Sequence, residues 1–235
     1  PVVSPAEPAP RRGVRSFVVR AGRVTPGQRR ALEHLGDAYL LDPSAPLDPE
    51  AVFGRRAPLY LEVGFGNGEA LLTLARAHPE RDFIGVEVYP AGIGRLLNAL
   101  EGEGLANVRV YRADAAQVLE ACIPPGQLAG VYVWFPDPWP KKRHHKRRLV
   151  QPAFLERVAA ALAPGGLLHL ATDWQDYAEH MLRVANAETG LANEDPGGGY
   201  ARGPGERPVT RFQRRGEGLG HGVWDLRYRR GGGGA

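Results

Sequence analysis

Apolar positions along this chain come in short packets separated by glycine, proline or charge. PLYLEVG (58–64) is a brief apolar run ended by glycine, the pattern of a buried strand. EALLTLARAH (69–78) places apolar residues at 71, 72, 74 and 75 before Pro79, which predicts a helix with a stop. DFIGVEV (82–88) predicts a second strand and 91–103 a second helix, followed by strands at NVRVYRAD (107–114) and LAGVYVWF (128–135). PAFLERVAAAL (152–162) sets Phe154, Leu155, Val158 and Leu162 on one helical face, and APGG (163–166) closes it. LLHLATD (167–173) reads as a fifth strand, WQDYAEHMLRVANAETG (174–190) as a helix, and VWDLRYRR (223–230) as a closing strand. Strands alternating with helices in units near thirty residues predict an α/β fold: a parallel sheet covered on both faces.

The flanks follow another rule. PVVSPAEPAPRR (1–12) is expected to be disordered, and a short helix is expected at 27–36, ended by Gly36. EDPGGGYARGPGERP (194–208) reads as a Gly/Pro-rich loop and GGGGA (231–235) as a flexible tail. The expected organisation is a basic extension over 1–50, one domain over 51–230, and the tail. No internal repeat is evident.

Composition narrows the class. The 235 residues, 43% hydrophobic and 24% charged, suit one soluble domain with a proper core. The single cysteine, Cys122, permits no internal disulfide, which fits a reducing, cytoplasmic setting. No apolar run approaches the roughly 20 residues that span a bilayer, and no charged-then-apolar leader is read at the start, so no membrane partner is expected. A net charge of +4 is less informative than its placement. Arginines dominate 11–30, Lys/Arg fill 141–148, and Arg207, Arg211, Arg214, Arg215, Arg227, Arg229 and Arg230 crowd the end. Patches on a balanced body suit a polyanion.

LEVGFGNGE (61–69) lies between the first strand and first helix, where open α/β sheets bind ligands. A dinucleotide fingerprint needs glycine at 64, 66 and 69; position 69 is Glu, and the third glycine stands at 68. Glu62, just before Gly64, would repel a pyrophosphate but suits a ligand with ammonium and sulfonium charges. Gly64 and Gly66 let the backbone approach it closely. This favours S-adenosylmethionine over NAD. Glu87, Asp114 and Asp137 close the second, third and fourth strands, where Glu87 suits ribose hydroxyls and Asp114 an adenine amino group. Each acid alone reads most often as a helix cap or solvated turn residue; four at successive strand ends read as a nucleoside site.

WFPDPWPKKRHHKRR (134–148) holds Asp137 among Pro136, Pro138 and Pro140, beside Trp139 and a dense basic run. Prolines fix the backbone there, Trp139 is the expected exposed ring for base stacking, and Lys141 to Arg148, Arg147 and Arg148 included, are expected to grip phosphate. His144 and His145 have no zinc spacing, so no metal is expected.

LEVGFGNGE, GVEVYPAGIGRLL (85–97), FPDPWPKKRHHKRRLVQPAFL (135–155) and LATDWQDYAEHML (170–182) resemble bacterial tRNA (guanine-N7)-methyltransferases. RSFVVRAGRVTPGQRRALE (15–33) and TRFQRRGEGLGHGVWDL (210–226) extend the likeness over most of the chain. The resemblance implies a Rossmann-like class I methyltransferase fold with a mostly parallel seven-stranded sheet. It also implies transfer of a methyl group from S-adenosylmethionine to N7 of a guanosine in the tRNA variable loop, position 46, by a cytoplasmic monomer or homodimer. By motif, Glu62, Glu87, Asp114 and Asp137 fall on the family's cofactor-binding acids, Asp137 also on its catalytic residue, Lys141 on a tRNA contact and Asp173 on a substrate contact. Thr210, Arg211, Phe212 and Gln213 fall on a substrate motif usually read T-K-F-E; Gln213 departs from its glutamate. An amino-methyltransferase with a D-P-P-[YFW]-like loop, half matched by DPWP, and a non-catalytic RNA-binding protein on the same fold remain as alternatives.

Overall fold

Alternation along the first strand of the computed structural model, which describes residues 23–209, 213 and 222–232, sets the layering. In β1 (Leu59–Val63), Leu61 and Val63 join one buried apolar cluster, while Tyr60 packs against a second on the opposite face. β2 (Asp82–Val86) divides the same way, Ile84 to the first cluster and Phe83 to the second. β3 (Val108–Tyr111), β4 (Leu128–Trp134) and β5 (Leu162–Thr172) run parallel with them. β6 (Leu191–Asn193) and β7 (Trp224–Arg230) complete seven strands in the order β3-β2-β1-β4-β5-β7-β6, with β7 antiparallel to both its neighbours.

Helices cover both faces. α1 (Pro26–His34), α4 (Glu69–Ala77) and α5 (Pro90–Glu103) supply Ala31, Leu71, Leu74, Ile93, Leu96 and Leu97 to the second cluster. α6 (Ala115–Ala121), α7 (Pro152–Ala161) and α8 (Gln175–Asn186) supply Val118, Phe154, Leu155, Val158, Tyr177 and Met181 to the first. Strand order reverses between β1 and β4, which opens a crevice at their carboxyl ends. Among the described residues no helix is long and apolar enough to cross a membrane.

Several boundaries differ from the expected ones, each for a local reason. Gly36 does not end a helix: α1 stops at His34, and Gly36 opens the single turn α2 (Gly36–Tyr39). APGG does not close α7 into a loop either. β5 starts at Leu162, and the register jumps from Leu128↔Leu162 to Gly130↔Leu167, so 163–166 bulge within the strand around Gly165. β3 ends at Tyr111, and Asp114 instead caps α6 by accepting from the Ala116 amide at 2.8 Å. α3 (Pro49–Phe53) and β6 are too short to show a period. Residues 1–22 and 233–235, with the disorder and most of the tail expected there, lie outside the described residues.

Candidate active site at the strand ends

The turn after β1 carries three glycines with positive φ, 70° at Gly64, 56° at Gly66 and 75° at Gly68. These values keep the turn tight enough for the Gly64 amide to bond Val86 O at 2.7 Å and the Gly66 amide to bond Glu87 Oε2 at 2.9 Å. Beside it lies an open cleft of about 830 Å³ including its mouth, lined by Gly64, Gly66, Val86, Glu87, Pro136 and Asp137 among others. The floor of the turn depends on a residue that strand and helix patterns do not flag. Gly92, near the start of α5, lies so close that a Cβ there would stand 2.0 Å from Gly66 O. The only sequence signal for it is a pair of glycines inside a helical stretch.

Two buried acids interact beside this crevice, one of which, Glu87, lines it. Glu62 is buried, and its Oε2 has no hydrogen-bond partner among the described residues. Burial, reinforced by the nearby Glu87 charge, pushes its carboxyl up to about 8. Glu87 is also buried, and desolvation raises it despite amide bonds from Val88 at 2.7 Å, Tyr89 at 3.1 Å and Gly66; Asp137 adds to the rise. An orphaned buried carboxylate next to a second acid calls for a cation, and Gly64 and Gly66 leave the approach open. The residues therefore fit a donor carrying ammonium and sulfonium groups. Asp114 is half-buried between Ala113 and Ala115, both of which line the cleft.

The elbow after β4 is held by arginines from two segments. Phe135 and Trp139 have φ of 54° and 47°, a left-handed conformation that bulky residues rarely adopt and that each takes just before a proline. Arg207 lies over the Phe135 ring at 5.2 Å and Arg147 over the Trp139 ring at 5.1 Å, while Arg148 Nε donates to Pro138 O at 2.9 Å. The Phe135 amide also extends the β4–β5 ladder by bonding Ala171 O at 2.8 Å. Asp137, between these anchors, is exposed at the cleft rim. Asp173 follows β5, the neighbouring strand, so both acids share one sheet edge.

Trp139 is not the open platform expected of it: it is half-buried, with Arg147 on its face and the His144 ring edge-on at 5.8 Å. The basic run folds as a 3-10 helix, Lys142–Arg147, and its cations divide. Lys141, Lys142, Arg143 and Lys146 are exposed, whereas Arg148 is buried, paired with Asp176 and stacked over Tyr177 at 4.8 Å. Arg148 therefore locks the run to α8 and does not face phosphate. The His144 ring, desolvated and surrounded by cations, titrates below its ordinary range. Of the terminal basic cluster, Arg211, Arg214 and Arg215 lie outside the described residues; among the described ones Arg207 is buried, and Arg227 and Arg229 stand 2.9 and 2.7 Å from Glu194.

Thr210, Arg211 and Phe212 lie outside the described residues. Gln213 is buried and its Oε1 accepts from Arg207. Glu87 and Asp137 thus line one cleft, Glu62 is buried near Glu87, Asp114 stands between two lining residues, Asp173 follows the neighbouring strand, Lys141 leads into the exposed cations, and Gln213 meets the elbow through Arg207.

Comparison with known proteins adds to this geometry. A methyltransferase family model, Methyltransf_4, matches residues 56–226. The chain is 58% identical over 221 residues to the tRNA (guanine-N(7)-)-methyltransferase of Methylococcus capsulatus, covering 94% of this chain and 96% of that one. It is 59% identical over 223 residues to the enzyme of the same name from Alkalilimnicola ehrlichii, covering 94% of each. Among solved structures it is similar in fold to the 16S rRNA methyltransferase KamB, with a TM-score of 0.56, 19% identity, and 78% and 92% of the two chains covered.

Proposed function

The chain belongs to the tRNA (guanine-N7)-methyltransferase family, methylating N7 of a tRNA guanosine with S-adenosylmethionine as donor, and we propose that its target is the variable-loop guanosine at position 46. The observation that carries this reading at the atomic level is an exposed carboxylate, Asp137, on the rim of a cleft lined by the buried acid Glu87, with the buried Glu62 nearby.

Bound in that cleft, S-adenosylmethionine supplies an electrophilic methyl group on a sulfonium. Glu62 binds the ammonium end, which relieves its own unpartnered burial. Glu87 takes the ribose hydroxyls, oriented by its three amide bonds, and Asp114 flanks the adenine beside Ala113 and Ala115. Gly64 and Gly66 let the donor lie against the backbone.

Guanine N7 has an in-plane lone pair, so no proton has to leave before it attacks. Asp137 is therefore not needed as a base. Methyl transfer moves positive charge onto the purine, and a carboxylate fixed nearby stabilises that charge. Asp137 also accepts N1–H or N2–H and so orients the ring, with Asp173 one strand away to share the contact. Lys141 and the exposed cations of the 3-10 helix hold backbone phosphate. With tRNA as substrate, the enzyme works in the cytoplasm.

Labelled donor and unmodified tRNA provide the test. Incubation followed by borohydride and aniline treatment is expected to cut the tRNA within its variable loop. Label without such a cut, or a cut elsewhere, overturns the assignment of position.

A further inference from the structure

Arg207 sits in the Gly/Pro-rich loop, in a stretch whose composition marks it as surface, yet it is only 3% exposed. Its guanidinium serves three partners. Nε and one terminal nitrogen grip the two oxygens of Asp225 in β7, at 2.7 and 2.9 Å. The other terminal nitrogen donates to Gln213 Oε1. The plane of the group lies over the Phe135 ring. Asp225 is held from its other side by His169 of β5, 2.8 Å from Nε2 to Oδ1.

The charges in this cluster balance. Burial lowers His169 against the pull of Asp225, so the imidazole is neutral and the contact is a hydrogen bond. Burial by itself would raise Asp225, but bonds from Arg207 and His169 outweigh it and hold the carboxyl below its ordinary range. One cation and one anion remain, fully engaged. Arg207, Gln213, Asp225 and His169 are not among the residues lining the cofactor cleft. The cluster joins the C-terminal substrate motif to the elbow that carries Asp137.

We propose that Arg207 is a positioning residue for the target guanine: it fixes the Gln213 carboxamide relative to Phe135, two residues before Asp137, and so sets the gap that receives the base. This rests on the reading of Asp137 and Gln213 as groups that face guanine. A planar fork is what the task requires, because only it can hold a bidentate carboxylate and a third acceptor at once. A lysine keeps the charge beside Asp225 but loses that simultaneous grip. Placement errors near 1 Å cost about a hundredfold in rate, so a loosened clamp should be visible in the kinetics.

Arg207→Lys is the informative variant, since Arg207→Ala would strand Asp225 without its cation. Asp225→Asn, which loosens the same clamp from its other end, is the second. For both, the expected result is wild-type affinity for S-adenosylmethionine by calorimetry and a fall of about tenfold to a hundredfold in kcat/KM for tRNA. Combined with Gln213→Ala, neither should lose much beyond the larger single loss, because all three variants break one linkage. Unchanged kcat/KM in Arg207→Lys, strictly multiplicative losses in the double variants, or parallel loss of donor binding overturns the proposal. A wild-type enzyme that leaves guanine N7 unmethylated removes this proposal and the functional reading together; an active wild type with multiplicative variants removes the coupling alone.

Discussion

Glu62 shows how one side chain can link cofactor, pH and stability. In the unfolded chain it titrates near 4.5, and in the fold near 8. The protonated form is thus favoured by folding. Its contribution to stability is complete below about 4.5, shrinks as pH rises, and is gone above about 8. The donor-free protein should lose melting temperature across that window, and Glu62→Gln should flatten the slope. The donor's ammonium wants the carboxylate, so affinity should climb with pH until about 8, with proton release on binding below it. Calorimetry in buffers of different ionisation enthalpy reads that release; pH-independent affinity would refute it. At Asp137 the question is charge against hydrogen bonding. Electrostatic support predicts that Asp137→Asn loses about a hundredfold or more in kcat, close to Asp137→Ala. Full turnover in Asp137→Asn would leave orientation as its role.

Among elements, α5 and the turn after β1 depend on one close approach. A methyl at position 92 would meet Gly66 O at 2.0 Å, and α5 is anchored by Ile93, Leu96 and Leu97 and cannot simply retreat. Gly92→Ala should therefore displace the glycine turn. Overpacking of this kind costs about 1–3 kcal/mol, and donor Kd measured by calorimetry should weaken roughly tenfold or more. An unchanged Kd would mean that the turn yields freely. The five parallel strands and the helices α4, α5 and α7 between them were legible because each apolar packet was long enough to show a period; α6 (Ala115–Ala121), seven residues between β3 and β4, was not. α3 and β6 were not, having five and three residues. The bulge at 163–166 was hidden for another reason: Ala-Pro-Gly-Gly describes a helix end and a strand irregularity equally well, and only pairing with Leu128 and Gly130 distinguishes them.

At the scale of the whole molecule, charge sorts into cations that face solvent and cations that hold the fold. Replacing Lys142, Arg143 and Lys146 with glutamine should weaken tRNA binding and reduce its salt slope by about one for each phosphate no longer neutralised. Arg148→Ala should lower the melting temperature, by about 1–3 kcal/mol of missing hydrogen bonding, and leave that slope alone. A reduced slope in Arg148→Ala would contradict its buried placement. Glu87 and Asp137 were readable as cleft residues because each follows a strand end, whereas Asp114 lies beyond the end of β3, in the cap of α6. The burial of Arg148 and Arg207 was not readable, since neither a basic run nor a Gly/Pro-rich loop says which of its cations turns inward. The elbow, finally, has a consequence for the nucleic acid. Phe135 and Trp139 adopt backbone angles worth of order 1–3 kcal/mol of strain each, and that cost is met during folding and not at every encounter. A jaw set in advance does not shape itself to its guest, so the base must be unstacked and swung outward by the RNA. Transcripts whose target nucleotide is already loose should then be methylated faster than tightly stacked ones.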